Sequence, residues 1–276
     1  MGETMKPKMI FSDLDGTLFN HEHTITEHTR EVILDILNRG HRFILCSGRP
    51  LSNMLRIKEQ IGLDAPGLYL IAYNGAVIYD CDAKKTIYDK KMSYDTVRRV
   101  FALSREWNLH CHTYQGDTVL SPADDAELQA YLGPVTMEYT IIGDTDPASV
   151  LQSEPYKVLV IHLTDHAYLN AFREYAAKQL GREATLFFSN PRYLEFLHPD
   201  ASKGKAVSYL LSHTGTARED SIAFGDEQND ISMLEAAGIG IGMCNGTEEV
   251  RRIADRISRY DCDRDGVADM IRELQL

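Results

Sequence analysis

A pair of aspartates separated by one residue follows the first apolar run of the chain, in the segment Asp13-Leu14-Asp15-Gly16-Thr17-Leu18. At the end of a strand, two such carboxylates can converge on one cation, and hard oxygen ligands of this kind suit Mg²⁺. A carboxylate can also attack phosphorus as a nucleophile, as in enzymes that form an aspartyl phosphate. Alone, this spacing is more often a solvated acidic turn. The Gly-Thr-Leu that follows favours a site, because glycine allows the sharp turn that such a strand end needs.

Two further segments could hold an anion. Cys46-Ser47-Gly48-Arg49 follows the second apolar run, where a hydroxyl and the N–H groups of a beginning helix would form an anion pocket. Ser202-Lys203-Gly204 opens a later helix, where the lysine would offer a point charge to a phosphate. Taken singly, the first segment is typical of a turn and the second of a surface lysine.

An acidic segment follows a later apolar run, in Phe224-Gly225-Asp226-Glu227-Gln228-Asn229-Asp230. Asp226 stands where the strand should end and could supply a further metal-binding carboxylate. Asn229 and Asp230 begin the next helix and could steady the metal or the lysine. The alternative is an acidic helix start, which the helix macrodipole favours without any ligand.

The predicted strands and helices that carry these segments alternate regularly along the chain. Buried-strand patterns alternate with helical patterns over residues 9–72, which predicts parallel strands joined by right-handed crossovers, and the rhythm returns after Ser202. In between, polar and apolar residues alternate, as in an antiparallel sheet with one covered face. The predicted fold class is α/β, a parallel-sheet core interrupted by an α+β insertion, divided as 1–80, 81–192 and 193–276. In such a sheet ligands bind at the carboxyl ends of the strands, so the polar segments should meet at one edge.

The chain order of these segments resembles that of the haloacid dehalogenase (HAD) superfamily. The insertion between Ser47 and Lys203 is similar to the C2-type α+β cap of its Cof-type sugar-phosphatase branch, and Asn74-Gly75-Ala76 and Asp265-Gly266-Val267-Ala268 also match. The resemblance implies a Rossmann-like core with an inserted α+β cap domain. It also implies a Mg²⁺-dependent phosphatase that hydrolyses small phosphorylated metabolites, such as sugar phosphates or phosphorylated cofactors, through an aspartyl phosphate.

The resemblance also assigns roles to matching positions. Asp13 resembles the nucleophile and a metal ligand, and Asp15 resembles a general acid/base that binds the metal through its backbone carbonyl. Asp226 is similar to the remaining metal ligand, and Asp230 to an outer-shell support. The other implied positions are phosphate contacts at Ser47, Lys203 and Asn229, assisted by the backbones of Leu14 and Gly48, and positions near the substrate entrance at Arg49 and Asn74.

Composition narrows the class of partner. The formal net charge of −12 argues against a general nucleic-acid binder, which needs a basic face. We find no apolar run of about 18 residues or more and therefore expect no membrane span. The five cysteines are scattered without a CxxC pair, as in reduced cytoplasmic proteins, and the first residues lack the apolar stretch of a signal peptide. The expected location is therefore cytoplasmic, and the sequence makes no prediction of oligomeric state.

Several interpretations stay open at this point. A phosphotransferase or mutase, or a non-catalytic phosphoryl-binding module, would carry much the same residues, although the module would not need Asp15. His110, His112 and Tyr114 alternate along one strand and must share a face, which fits substrate recognition, a metal or plain packing. The segment Asp261–Gly266 imitates the start of a calcium-binding EF-hand loop. Position twelve of that loop would be Arg272 instead of the bidentate Glu, so we predict a surface loop.

Overall fold

The structure is a computed structural model, and it describes residues 6–133 and 137–276. The strands, in chain order, are β1 Met9–Asp13, β2 Arg42–Cys46, β3 Leu68–Ala72, β4 Val77–Asp80, β5 Lys85–Asp89, β6 His110–Gln115, β7 Thr118–Ser121, β8 Tyr139–Ile141, β9 Lys157–Ile161, β10 Thr185–Asn190, β11 Tyr193–Leu197, β12 Ser221–Gly225, β13 Ile239–Gly242 and β14 Arg256–Ile257. The helices are α1 Glu27–Asn38, α2 Leu51–Gln60, α3 Tyr94–Glu106, α4 Ala126–Leu132, α5 Pro147–Val150, α6 His166–Leu180, α7 Lys203–Thr214, α8 Ile231–Ala236, α9 Glu248–Ile253 and α10 Gly266–Glu273. Short 3₁₀ turns cover Tyr73–Gly75, Arg218–Asp220, Gln228–Asp230 and Cys262–Arg264.

The chain divides into two compact units, the first made of Met1–Asp89 and Ser202–Leu276. Its sheet runs in the order β14-β13-β12-β1-β2-β3-β4-β5, and the strands from β14 to β3 are parallel. β1 lies at the centre and is buried along its whole length. A continuous apolar run such as Met9-Ile10-Phe11 suits this position, because a central parallel strand is covered on both faces. This confirms the predicted α/β core.

The helices of this unit begin where the sequence supplies caps. Thr26 accepts the N–H of Thr29 at the start of α1, and Ser202 accepts the N–H of Lys205 at the start of α7. Each cap satisfies one of the backbone donors that the first helical turn leaves without an intrahelical partner. Ser202 thereby fixes where α7 starts, and so where Lys203 lies relative to the strand ends.

The second unit spans Lys90–Ala201. Its sheet runs in the order β10-β11-β9-β6-β7-β8 and is antiparallel except for the β7–β8 pair. Alternate strand residues such as Cys111, Val160 and Phe196 pack into an apolar core with α3 and α6. The residues between them, His112 and Glu195 among them, therefore point to the opposite face.

The limits of the units differ from the expected 1–80, 81–192 and 193–276. β4 and β5 form an antiparallel hairpin that extends the sheet of the first unit at its edge, so residues 81–89 stay in the first unit. β11 pairs with β9 and β10, so residues 193–201 belong to the second unit. Both differences arise because the limits of a unit depend on which strands pair, and local composition does not reveal the pairing partners. Among the described residues, no helix is long and apolar enough to cross a bilayer.

Candidate active site

The acidic residues of two distant segments meet because β1 and β12 are neighbouring parallel strands. Ser12 pairs with Phe224 in their register, Asp13 is the last residue of β1, and Asp226 directly follows β12. Asp13 and Asp226 are 7% and 8% exposed, so both carboxylates open only narrowly to solvent. The carboxyl edge of the sheet thus gathers these two groups, as the sequence predicts.

Lys203 lies under these carboxylates and is completely buried. Its ammonium donates to Asp13 Oδ1, and to Asp230 Oδ1 at 2.5 Å. Burial alone would lower the pKa of Lys203, but the charges and hydrogen bonds of Asp13 and Asp230 outweigh it and raise the pKa. Lys203 is therefore a fixed cation between two acidic groups, and the alternative of a surface lysine is wrong.

Asp230 uses both of its oxygens to hold other groups. Oδ1 accepts from Lys203, while Oδ2 accepts the backbone N–H groups of Asp226 at 3.0 Å and Glu227 at 3.1 Å. Gly225 leaves room for this side chain, since a Cβ there would lie 2.4 Å from the Cβ of Asp230. Asp230 thus orients the lysine and the strand end that carries Asp226.

Three carboxylates lie close together at this edge and affect one another's pKa values. Ligand oxygens of Asp13, Asp226 and Asp230 all lie within 4.8 Å of each other. Burial, followed by the charge of Asp230, raises the pKa of Asp13 well above its usual range and raises the pKa of Asp226 to about 7. Thr17 donates its hydroxyl to Asp226 Oδ1 at 2.7 Å and so fixes that carboxylate. A buried group of like charges is what a bound cation would stabilise, and this donor set could hold a metal.

Asp15 has the opposite environment, although it is only two residues away. Its carboxylate is half-exposed and accepts from Arg49, through Nε at 2.9 Å and Nη2 at 2.6 Å, and from the ring of His23 at 3.3 Å. Desolvation acts to raise the pKa of Asp15, but the hydrogen bonds and charge of Arg49, with His23, outweigh it and lower the pKa. The two aspartates of the first segment are thus held in different protonation environments.

The turn after β2 is held against the turn after β3. Ser47 is buried, its hydroxyl accepts the N–H of Arg49 at 3.2 Å, and its carbonyl accepts the N–H of Asn74 at 2.9 Å. The side-chain amide of Asn229 donates to Asn74 Oδ1 at 3.0 Å. A Cβ on Gly48 would lie 2.7 Å from the Asn74 amide nitrogen, so the two turns are in close contact.

Thus the structure brings the predicted residues of unit one to a single edge of the sheet. Leu14 lies there too, buried, with its carbonyl accepting the N–H of Phe19 at 2.7 Å. Three residues that contact this site were not predicted: Thr17, His23 and Asn245, whose amide donates to the Gly16 carbonyl at 2.7 Å. Asn245 follows β13, so the same strand-end rule could have found it.

The segment Asp261–Gly266, which resembles the start of an EF-hand loop, forms a 3₁₀ turn and the start of a helix. Cys262–Arg264 form a 3₁₀ turn, and Asp265, at φ +59°, starts α10. The Asp265 carboxylate accepts the hydroxyls of Thr26 at 2.5 Å and Thr29 at 2.8 Å. Asp265 therefore ties the start of α10 to the start of α1, and Asp263 instead pairs with the exposed His21.

The comparisons with known proteins identify the class. Residues 10–271 match the family model of the haloacid dehalogenase-like hydrolases, so the chain belongs to that family. It is 30% identical to YxeH of Bacillus subtilis (strain 168), which carries a phosphatase name, over 98% of each chain. It is also 30% identical, over 97% of each chain, to the 5-amino-6-(5-phospho-D-ribitylamino)uracil phosphatase YitU of the same organism. The family and these relatives make the chain a phosphatase.

Solved structures agree on the fold. A haloacid dehalogenase-like hydrolase from Bacteroides thetaiotaomicron superposes with a TM-score of 0.84 at 29% identity, covering 98% of this chain and all of that one. The HAD subclass IIB sugar phosphatase BT4131 superposes with a TM-score of 0.80 at 21% identity, covering 97% of this chain and 99% of that one. The chain therefore has the fold predicted from the sequence, a parallel core with an inserted α+β unit.

Proposed function

We propose that this phosphatase hydrolyses small phosphomonoesters, such as sugar phosphates or phosphorylated cofactors, through a phosphoryl group carried transiently on Asp13. The observation that carries the proposal is the contact of Asp13 with the buried Lys203. A fixed cation beside a buried carboxylate at a strand end offsets the charge of an incoming phosphate, which would otherwise repel a carboxylate nucleophile.

Mg²⁺ is the proposed cofactor. The donors at the site are carboxylate oxygens, the kind of ligand that this hard cation prefers. Asp13, Asp226 and the backbone carbonyl of Asp15 would hold the ion, while Asp230 supports it indirectly because its oxygens already accept from Lys203 and from two backbone N–H groups. Bound there, the ion would lower the pKa of the Asp13 carboxyl and offset charge on the equatorial oxygens of the phosphoryl group.

The residues of the chain supply the remaining steps. Asp13 attacks phosphorus while Lys203, Asn229, the Ser47 hydroxyl and the N–H groups of Leu14 and Gly48 position the phosphate oxygens. Asp15 gives a proton to the leaving alkoxide and then takes one from the water that opens the aspartyl phosphate, as a general acid followed by a general base. Arg49 must release Asp15 for this, because the pair of hydrogen bonds holds that carboxylate ionised. Asn74 orients Asn229 through their amide contact.

The proposal is tested by phosphate release from a panel of sugar phosphates and phosphorylated cofactors, each with Mg²⁺ and with EDTA. We expect release from the wild type only with the metal, and none from Asp13→Asn. Asp64→Asn is the matched control, since its side chain is 96% exposed and lies away from the sheet edge on the α2–β3 connection. Wild-type release from Asp13→Asn would refute the proposed nucleophile. Phosphoryl transfer to an added alcohol without phosphate release would instead favour a phosphotransferase.

A further inference from the structure

The second unit contains a continuous series of hydrogen-bonded side chains, which we call the His–Tyr relay: Asp125, His110, His112, Tyr114 and Tyr131. Asp125 Oδ2 lies 2.8 Å from His110 Nδ1, and His110 Nε2 lies 2.9 Å from His112 Nδ1. His112 Nε2 is 3.0 Å from the Tyr114 hydroxyl, which is 2.8 Å from the Tyr131 hydroxyl. His112 is fully buried and Tyr114 is 3% exposed. The relay therefore runs beneath the surface, from a partly exposed carboxylate to a partly exposed phenol.

The local structure explains why these groups line up. His110, His112 and Tyr114 alternate along β6 and so share one face of the sheet. α4 packs on this side, with Tyr131 in its last turn and Asp125 as its N-cap. The ring of Tyr131 lies 4.7 Å from the ring of His112. One short helix thus supplies both ends of the relay.

Counting hydrogens fixes the direction of the bonds that join Asp125, His110, His112 and Tyr114. A single hydrogen lies between two ring nitrogens that are bonded at 2.9 Å, so His110 Nε2 and His112 Nδ1 cannot both carry one. Since Asp125 is an acceptor, His110 must carry a hydrogen on Nδ1. When His110 is neutral, His112 donates from Nδ1 to His110 and Tyr114 donates to His112 Nε2. The bond in which Tyr114 donates to Tyr131 in the structure must then reverse, so that Tyr131 donates.

One added proton changes this pattern. If His110 carries both hydrogens, its Nε2 donates to His112 Nδ1, and His112 must then hold its hydrogen on Nε2 and donate to Tyr114. Tyr114 then donates to Tyr131, which is the direction of this bond in the structure. The bond to Asp125 keeps its direction, while the three bonds beyond it reverse. We propose that the His–Tyr relay binds one proton, held at His110, and that this proton reverses the hydrogen bonds as far as Tyr131.

The surrounding charges place the proton on His110 and keep it off His112. His110 faces the Asp125 carboxylate, whereas His112 has Lys157 of β9 on its side of the sheet. Burial, and then the positive charges of His110 and Lys157, lower the pKa of His112 well below its usual range. Lys157 lies 5.2 Å from the ring centre of Tyr114 and pairs with the buried Glu195 of β11 at 3.2 Å. Tyr193 of β11 contacts Tyr131 through its ring, with the centres 5.7 Å apart.

The consequence appears at Tyr131, the half-buried end of the relay. At high pH its hydroxyl donates inward and offers only lone pairs to other groups. At low pH it accepts from Tyr114 and its own hydrogen turns outward. The surface at Tyr131 therefore changes from an acceptor to a donor with the uptake of one proton at His110. This is a property of the second unit by itself and does not depend on the proposed phosphatase mechanism.

The test is NMR of the intact protein with ¹⁵N-labelled histidine, because long-range couplings report which ring nitrogen carries the hydrogen. We expect His112 to stay neutral but to move its hydrogen from Nδ1 to Nε2 over the same pH interval in which His110 becomes cationic. His166 serves as the internal reference, since its Nδ1 lies 2.7 Å from the Pro191 carbonyl, which can only accept. A His112 hydrogen that stays on one nitrogen throughout, or a His112 that becomes cationic itself, would overturn the proposal.

The variant Asp125→Asn tests whether the Asp125–His110 contact sets the direction of the relay. Asp125 Oδ1 accepts the N–H of Leu128 and Oδ2 faces His110 Nδ1, so asparagine, which has one carbonyl oxygen, can keep the cap of α4 but then turns its amide N–H group toward His110. Facing a donor, a neutral His110 would carry its hydrogen on Nε2 and donate to His112 Nδ1, so the His112 hydrogen should lie on Nε2 at high pH as well and no longer change nitrogen. Asp165→Asn is the control, because Asp165 caps α6 in the same way but touches no member of the relay. A His112 hydrogen that still changes nitrogen over the wild-type pH interval in Asp125→Asn would refute the proposal that the Asp125–His110 contact sets the direction of the relay.

Discussion

Arg49 holds Asp15 with two parallel hydrogen bonds, from Nε to Oδ2 at 2.9 Å and from Nη2 to Oδ1 at 2.6 Å. Such a planar pair stabilises the ionised carboxylate and lowers the pKa of Asp15, while the pKa of its neighbour Asp13 is raised by burial. The proposed chemistry needs the reverse, an ionised Asp13 and a protonated Asp15. The geometry therefore describes a resting state, from which a bound cation and a phosphate would have to rearrange the charges.

The variant Asp15→Asn tests the acid/base role. Asparagine can still accept one hydrogen bond from Arg49 but can neither give nor take the proton, so turnover should fall by about 10²- to 10⁴-fold. With p-nitrophenyl phosphate the leaving group needs no proton, and we expect one equivalent of nitrophenol per enzyme in a rapid burst. Stopped-flow absorbance measures that burst. Steady turnover at the wild-type rate would contradict the role.

The burial of Lys203 predicts a strong effect on stability. Lys203→Met leaves the Asp13 and Asp230 carboxylates buried without their shared cation, which should lower the free energy of unfolding by about 3–5 kcal/mol. Urea denaturation followed by circular dichroism measures the change. Lys205→Met, two residues along the same helix and exposed, is the control and should change stability by less than about 0.5 kcal/mol. Equal effects of the two substitutions would show that the buried ion pairs are not important for stability.

Comparing Gly75→Ala with Gly40→Ala separates the cost of backbone strain from the cost of steric contact. Both have positive φ, +94° and +86°, so alanine is strained at either position by roughly 1–2 kcal/mol. At Gly75 an added Cβ would lie 2.2 Å from the Ser202 carbonyl oxygen, whereas nothing lies within 4 Å at Gly40. We therefore expect Gly75→Ala to destabilise the protein more than Gly40→Ala and, because Ser202 precedes Lys203, to reduce phosphatase activity as well. Thermal unfolding and phosphate release measure the two effects, and matching results for both variants would contradict the close contact.

Asp220 predicts a pH dependence of stability. Hydrogen bonds from Lys6 and then Lys8 lower the pKa of Asp220 in the folded protein. A carboxyl whose folded-state pKa is depressed adds stability above its unfolded pKa of about 4, and loses that contribution as the pH falls through the folded value. The melting temperature of Asp220→Asn should therefore lie below that of the wild type near pH 7, and the difference should close below about pH 4. Asp144→Asn, at a fully exposed side chain, should show no difference at either pH. A difference that stays constant with pH would contradict the role of these lysine contacts.

Much of the core and of the candidate site could be predicted from the sequence. The apolar run before Asp13 and the one before Asp226 are strong local signals for buried strands, and parallel strands place their carboxyl ends at one edge. The burial of Lys203 was not predictable from its own neighbours, because a lysine at a helix start is usually exposed. It follows only from the position of α7 against the strand ends, which tertiary packing determines.

The second unit shows where local patterns stop being informative. The alternation of His110, His112 and Tyr114 predicts a shared face, and the structure confirms it. The partners at both ends of the relay, Asp125 and Tyr131, come from α4, and nothing in the pattern of β6 identifies them. Likewise the place of β11 beside β9 depends on long-range pairing, which no local pattern specifies.

The phosphoryl group on Asp13 is the central claim, and it can be detected directly. The wild-type protein is mixed with substrate and Mg²⁺, quenched in acid and reduced with borohydride, which converts an aspartyl phosphate to an alcohol at that residue. Mass spectrometry of the peptides should then find the reduced residue at position 13 and nowhere else, with none in Asp13→Asn. Phosphate release by the wild type with no reduced residue at position 13, or with the reduced residue at another aspartate, would contradict the account.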